Sequence, residues 1–174
     1  YILYTSKDKN TQLLARNGTK RVSYSSIPIF NAADLQTDKN GTLYGITNEG
    51  KLWRAKIDGN ATELPLSGLI LNSKFLITDN NLIYSNDKTV FVLDKKFELL
   101  HTFNLADKVE EISHYNGNLV IKTTTAIYVC KDGEIKEGTP IETDGFTVIN
   151  DLDKDGKLNL IISRDAFLYN FEIE

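Results

Sequence analysis

The sequence predicts an all-β chain of about five similar units, each of roughly 40 residues. Three observations lead there. Short segments rich in Val, Ile, Thr, Tyr and Phe recur along the whole chain, each bounded by clusters of Gly, Asn and Asp. The segments come in groups of four, and the landmarks Ile2, Leu43, Leu82, Leu119 and Leu160 lie 41, 39, 37 and 41 residues apart. No segment combines helical period with helical length, Leu99 to Val109 coming nearest.

In order, Tyr1 to Ser6 reads as a strand, followed by a polar turn at Lys7 to Asn10. Thr11 to Arg16 is a second strand, closed by the hairpin signal Asn17-Gly18, and Lys20 to Ser26 is a third. Pro28 marks a strand end or edge, because it has no N–H to give a ladder. The next unit leads from Ala32 to Leu35 into the turn Asp38-Lys39-Asn40-Gly41. It continues with Thr42 to Thr47, Lys51 to Lys56, the turn Asp58-Gly59 and a last strand at Glu63 to Leu66. The third unit has Lys74 to Ile77, Leu82 to Tyr84, Thr89 to Leu93 and Glu98 to Phe103. The fourth has Val109 to Ser113, Leu119 to Lys122, Ala126 to Lys131 and Glu134 to Ile141. The fifth has Phe146 to Asn150, an Asp-rich loop, Leu158 to Ser163 and Phe167 to Glu172.

Four short strands repeated every ~40 residues and joined by tight hairpins are the pattern of β-propeller blades. A β-sandwich does not predict so regular an interval. The units are 1–29, 30–70, 71–105, 106–142 and 143–174, within one domain. The first unit lacks its opening strand and the last its closing one, which leaves 18 strands and about four to five blades. Such a partial propeller is an open arc, or is closed by other parts of a longer parent chain, or is a five-bladed ring with two incomplete blades. An arc exposes edge strands that invite self-association. The chain has no Met and opens directly on a strand, so it is expected to be a piece of a longer polypeptide.

One loop carries a ligand-like constellation: Asp151, Asp153 and Asp155 alternate, Gly156 follows at a sharp bend, and Lys157 and Asn159 come next. A chain curling around a point can turn all three carboxylates inward, and Gly tolerates the left-handed backbone that the bend needs. With the Lys157 carbonyl and the Asn159 side chain they form an all-oxygen, anionic cage, which suits calcium better than zinc or magnesium. The alternative is a solvated acidic hairpin. A helical calcium hand requires Glu at the twelfth position, where this chain has Ile162, and both flanks read as strands. The loop resembles the Asp-x-Asp-x-Asp-Gly-x-x-Asp-Leu loop of FG-GAP/VCBS-type propeller repeats, which implies calcium between the first two strands of a blade. Asn159 stands in place of the usual Asp, removing one anionic ligand. Asp38-x-Asn40-Gly41 and Asn116-Gly117-Asn118 look like decayed copies, and no metal is expected at either. Gly50-Lys51-Leu52-Trp53-Arg54 resembles the strand motif of quinoprotein-type blades; Trp53 is read as blade packing.

Composition narrows the function. Apolar residues make up 41% and charged residues 25%, an ordinary globular balance, and the net charge of −4 with scattered Lys and Arg offers no nucleic-acid surface. No apolar run reaches the ~18 residues of a membrane span. Cys130 is the single cysteine, which excludes an internal disulfide, and its neighbours Ile127, Tyr128 and Val129 make it read as a strand residue rather than a reactive thiol. His101 and His114 have no carboxylate partner nearby in sequence, and Ser163-Arg164-Asp165 is a turn without a nucleophile elbow. The expectation is therefore a non-enzymatic binding or scaffolding module for a protein or glycan partner. The alternatives are a fragment of a quinoprotein-type or glycan-processing enzyme, or a structural spacer. An exposed aromatic patch, with Tyr44, Tyr84, Tyr115 and Tyr128 as candidates, would favour binding over spacing. Weak calcium loops work where calcium is millimolar. Together with the acceptor patterns Asn17-Gly18-Thr19 and Asn60-Ala61-Thr62, this points to an extracytoplasmic location.

Overall fold

The computed structural model describes the backbone of strands 2–5, 11–14 and 20–24, and residues 35–173 apart from 48, 57, 59, 67–68, 70–72 and 144. The Asn17-Gly18 hairpin, Pro28 and Ala32 to Asp34 lie outside the described residues. Among the described residues there is no helix, and nineteen strands form five antiparallel sheets in chain order. The first sheet has β1 (Ile2–Thr5), β2 (Thr11–Leu14) and β3 (Lys20–Tyr24). The second has β4 (Gln36–Thr37), β5 (Leu43–Ile46), β6 (Leu52–Ala55) and β7 (Ala61–Glu63). The third has β8 (Phe75–Ile77), β9 (Leu82–Asn86), β10 (Thr89–Leu93) and β11 (Leu99–Asn104). The fourth has β12 (Val109–Tyr115), β13 (Asn118–Thr123), β14 (Ala126–Lys131), β15 (Glu134–Ile135) and β16 (Ile141–Glu142). The fifth has β17 (Thr147–Asn150), β18 (Leu158–Arg164) and β19 (Phe167–Ile173).

From the second to the fifth, consecutive sheets stack face to face, and the period of two along their central strands shows how. In β13, Leu119 and Ile121 join a core with the third sheet's Ile83, Val90, Val92 and Phe103. Val120, between them, joins the opposite core with Leu158, Leu160 and Ile162 of the fifth sheet. In β14, Tyr128 and Cys130 face the third sheet, and Ile127 and Val129 the fifth. The third sheet is two-faced as well: Leu82, Tyr84 and Leu93 pack against Ile46, Leu52 and Leu64 of the second. Strands apolar on both faces read as near-continuous hydrophobic runs, as Ala126 to Cys130 does. Each fully buried Leu or Ile contributes roughly 1.5–3 kcal/mol to this stack.

Two strands differ from expectation. The last strand of the second sheet is Ala61–Glu63, not Glu63 to Leu66. The turn before it closes at once, with Lys56 N donating to Asn60 O at 2.8 Å and Asn60 N to Asp58 Oδ1 at 2.9 Å. Pairing therefore begins at Ala61 opposite Ala55 and ends near Pro65, which has no N–H to give. The expected strand Glu134 to Ile141 is split into β15 and β16, both paired with β14, which makes 19 strands where 18 were expected. Gly138 takes a left-handed φ of 83° and Pro140 lacks a donor, so the ladder breaks between them. The Thr139 hydroxyl partly substitutes, accepting from Val129 N at 3.5 Å and donating to Lys136 O at 2.8 Å. Leu99 to Asn104, the stretch nearest to a helix in sequence, is strand β11.

Candidate functional site

In an antiparallel meander the first-to-second and third-to-fourth turns fall at the same end of the sheet. Here those ends coincide from sheet to sheet. Asp38 to Asn40 of the second sheet and Thr78, Asp79 and Asp94 of the third line one cleft of about 160 Å³. Asn116 Nδ2 of the fourth sheet reaches Gly156 O of the fifth at 3.5 Å. The Asp-rich loop, which joins β17 to β18, lies at this turn end.

The loop brings the three sequence-predicted carboxylates together: one oxygen each from Asp151, Asp153 and Asp155 lies within 4.8 Å of the others. The backbone explains the convergence. Lys154 (φ 62°) and Gly156 (φ 90°) are left-handed, so the chain curls and alternate side chains end on one side. Asp151 Oδ2 accepts the Gly156 N–H at 3.0 Å, and Asp155 Oδ1 the Lys157 N–H at 2.9 Å. Asp151 Oδ1 is shut from solvent with no hydrogen-bond partner. A buried carboxylate oxygen left unpaired costs ~1–3 kcal/mol or more. Carboxylates this close add roughly 1 kcal/mol of repulsion per pair even at the dielectric of water. A cation removes both penalties.

The remaining two predicted ligands have other partners too. Lys157 is tied outward by its Nζ to the Glu172 carboxylate on β19. Asn159 is buried on β18, and its Oδ1 accepts the Leu152 N–H at 2.8 Å, clamping the start of the loop to the strand after it. An amide oxygen has a second lone pair that this bond leaves open. Ile162, at the position where a helical hand has its Glu, is fully buried against the fourth sheet.

The shorter turn of the second sheet uses its aspartate differently. Asp38 Oδ1 accepts the N–H groups of Asn40 (2.9 Å) and Thr42 (2.8 Å), while Asp38 N donates to Thr42 O at 3.0 Å. The Asp94 turn repeats this bond for bond on Lys96 and Glu98. Thr47 does the same with its hydroxyl at 3.3 Å, accepting from Glu49 and Lys51. In all three turns the fourth residue is left-handed: Gly41, Phe97 and Gly50. An Asp or Thr that staples two backbone N–H groups is a hairpin device.

The tyrosines singled out in the sequence do not form an exposed patch. Tyr84 and Tyr128 are buried, and Tyr44 and Tyr115 are half-buried. Burial pushes up the ionisation of Tyr44, helped by the Asp38 carboxylate and opposed by Arg54. Among the described residues, the large exposed aromatics are Phe146, just before β17, and Phe167 on β19, 53% and 66% exposed. Cys130 lies on strand β14 as expected; it is buried, and burial pushes its thiol up to about 12. The two histidines, unremarkable in sequence, share one cleft between the third and fourth sheets with Cys130 and Asp132. His101 lies against Gly133, where any Cβ would come within 2.3 Å of its ring. Only sheet stacking could reveal that convergence.

No family model matches the chain, and no curated protein matches it by sequence. Solved structures do match its fold. The computationally designed Ika4 protein aligns with a TM-score of 0.68 at 14% identity, over 90% of this chain and 99% of that one. Sqt1 of Saccharomyces cerevisiae aligns at 0.71 and 15% identity, over 98% of this chain and 54% of that one. The WD40 β-propeller domain of Doa1 aligns at 0.58 and 12% identity, over 99% and 60%. The chain thus spans little more than half of the Sqt1 and Doa1 chains. Stacked antiparallel sheets in chain order and these likenesses give one result: the chain has a β-propeller fold.

Proposed function

We propose that the chain is a non-catalytic propeller module of an extracytoplasmic protein, which binds a partner at its turn end and holds one structural calcium ion in its last sheet. The observation that carries the reading is the Asp loop. Three carboxylate oxygens lie within 4.8 Å and one buried oxygen of Asp151 has no partner. Asp151, Asp153 and Asp155, with the Lys157 carbonyl and Asn159, would hold the ion, and several hard, anionic oxygen donors favour calcium over magnesium. Its role would be to offset carboxylate repulsion and pin β17 to β18. Partner binding is supported by the clefts that turns of neighbouring sheets form at the same end. Burial pushes the Cys130 thiol up to about 12, which speaks against a cysteine nucleophile there.

With three anionic ligands a dissociation constant on the order of 0.1 mM is expected. At about 1 mM calcium, mass action then adds roughly 1.4 kcal/mol to stability, a few degrees in melting temperature for a domain of this size. Thermal melting in calcium, magnesium and chelator tests it, on the native chain and on Asp153→Ala. Equal melting temperatures in calcium and chelator would sink the site. A calcium effect that survives in Asp153→Ala would move it elsewhere.

A further inference from the structure

Phe97 occupies a position where the backbone asks for glycine. Its φ of 69° is left-handed, and the matching residue of the Asp38 turn is Gly41. A bulky residue there costs about 1 kcal/mol or more, so the ring must return something. Part of it packs against the core between the second and third sheets. The rest forms a wall of the cleft there, with the Arg54 guanidinium 5.8 Å from the ring centroid.

The chemistry of that cleft selects by elimination. Asp38, Asp79 and Asp94 face Lys39, Arg54 and Lys95, three negative charges against three positive. Lys39 and Asp79 close a salt bridge of 3.1 Å across the seam, and Asp38 and Asp94 each commit one oxygen to backbone N–H groups. An anion would meet three carboxylates. A cation would meet Arg54, Lys39 and Lys95. A neutral ligand with many hydroxyls meets neither objection: its hydroxyls can donate to carboxylates and accept from guanidinium and ammonium groups. Its C–H face can lie on Phe97 and on the apolar floor of Ile77 and Leu82. The volume of about 160 Å³ equals roughly five waters at ~30 Å³ each, room for one six-membered ring and its substituents.

We propose that the cleft between the second and third sheets is a sugar subsite that takes one pyranose unit, its C–H face on Phe97 and its hydroxyls on the Asp38, Asp94 and Arg54 side chains. This rests on the turn end being the recognition face and names the chemical class of the partner: a glycan. The probes are a panel of methyl pyranosides (glucoside, galactoside, mannoside and N-acetylglucosaminide) followed by saturation-transfer NMR and calorimetry in calcium. The native chain is expected to bind at least one with a dissociation constant in the millimolar range. Phe97→Gly suits the left-handed backbone and should weaken that binding at least tenfold. Asp94→Asn keeps the Oδ1 acceptor for the turn, so it retains the fold while unbalancing the charge, and it should weaken binding several-fold. No binding by any pyranoside, or binding unchanged in both variants, would overturn the subsite. Melting in calcium and chelator on the same samples separates the two readings. A calcium shift without sugar binding removes only the glycan, and sugar binding without a calcium shift removes only the metal.

Discussion

The turn at Asp38 and the loop at Asp151 hold the same place in two sheets, both joining a first strand to a second and both opening on aspartate. They spend that aspartate in opposite ways. In the five residues from Asp38 to Thr42, one carboxylate oxygen captures two backbone N–H groups, and a single left-handed Gly41 closes the hairpin. In the longer loop after Asp151, only one N–H, that of Gly156, reaches the carboxylate, and the other oxygen is buried without a partner. Loop length decides the difference. A short hairpin brings its N–H groups onto the carboxylate, whereas a longer curl replaces them with two further carboxylates. The first arrangement stabilises the turn by itself, and the second leaves three carboxylates close together with one oxygen unpaired.

The largest expected effect breaks the short turn. Asp38→Ala strands the Asn40 and Thr42 N–H groups and should cost ~1–2 kcal/mol, as loss of a capping acceptor does in helices. The loss should be the same in calcium and in chelator. Asp151→Ala should do the reverse, raising stability in chelator by relieving the unpaired oxygen and the carboxylate repulsion, while erasing the calcium shift. Melting curves of both variants in both buffers check the pair. A calcium-dependent Asp38→Ala penalty would end the distinction.

Next is Asn159→Asp, which adds an anionic ligand while an oxygen remains for the Leu152 N–H. Calcium should bind about tenfold tighter, equivalent to ~1.4 kcal/mol. In chelator the variant should melt below the native chain, because the new carboxylate is buried among three others. Calorimetric titration gives the affinity. An unchanged constant would make Asn159 a clamp and not a ligand.

Gly41→Ala and Gly156→Ala should each cost about 1 kcal/mol in chelator, because both glycines are left-handed. A Cβ at either meets nothing within 4 Å, so the cost is purely conformational. In calcium the Gly156 variant should lose more, since the strained loop must also hold the ion, and the Gly41 variant should not. Equal losses in both buffers would show that the bend at Gly156 does not shape the site.

What the sequence made legible follows from what is local. The landmarks Leu43, Leu82, Leu119 and Leu160 could be counted because each is a buried position in the second strand of its sheet. The alternation of Asp151, Asp153 and Asp155 foretold their convergence because side-chain direction within one loop is set by its own backbone. The split at Lys136 to Pro140 was readable in principle from Gly138 and Pro140. Other features depend on partners distant in sequence or on atomic detail. Asp38 looked like a depleted ligand set, and only its hydrogen bonds show it to be a staple. Nothing in composition marks Phe97 as left-handed, and the cleft shared by His101 and His114 exists only once the third and fourth sheets stack.

The smallest effect concerns protons, and it ties Asp38 to the cleft beside it. Burial first and the Asp38 carboxylate second hold Tyr44 above its ordinary value of 10.0, with Arg54 pulling the other way. Below pH 10 the phenol is neutral folded and unfolded, so its contribution to stability is complete there. Above pH 10 the unfolded chain releases the proton first, and the contribution is lost as pH rises through the folded value. The half-buried ring makes this a modest loss, added to the one that Cys130 brings between 9.0 and about 12. Asp38→Ala removes a neighbouring negative charge and should bring the Tyr44 ionisation closer to 10.0. Tyr84, raised by burial alone, should not move, and Asp151→Ala should leave both unchanged. Ring-carbon NMR shifts of the individual tyrosines against pH read each one separately. Tyr44 unmoved in Asp38→Ala would mean that the staple's carboxylate is screened from the cleft. The two aspartates would then differ only in their backbone bonds, and Asp38 would have no electrostatic part in the chemistry of the cleft.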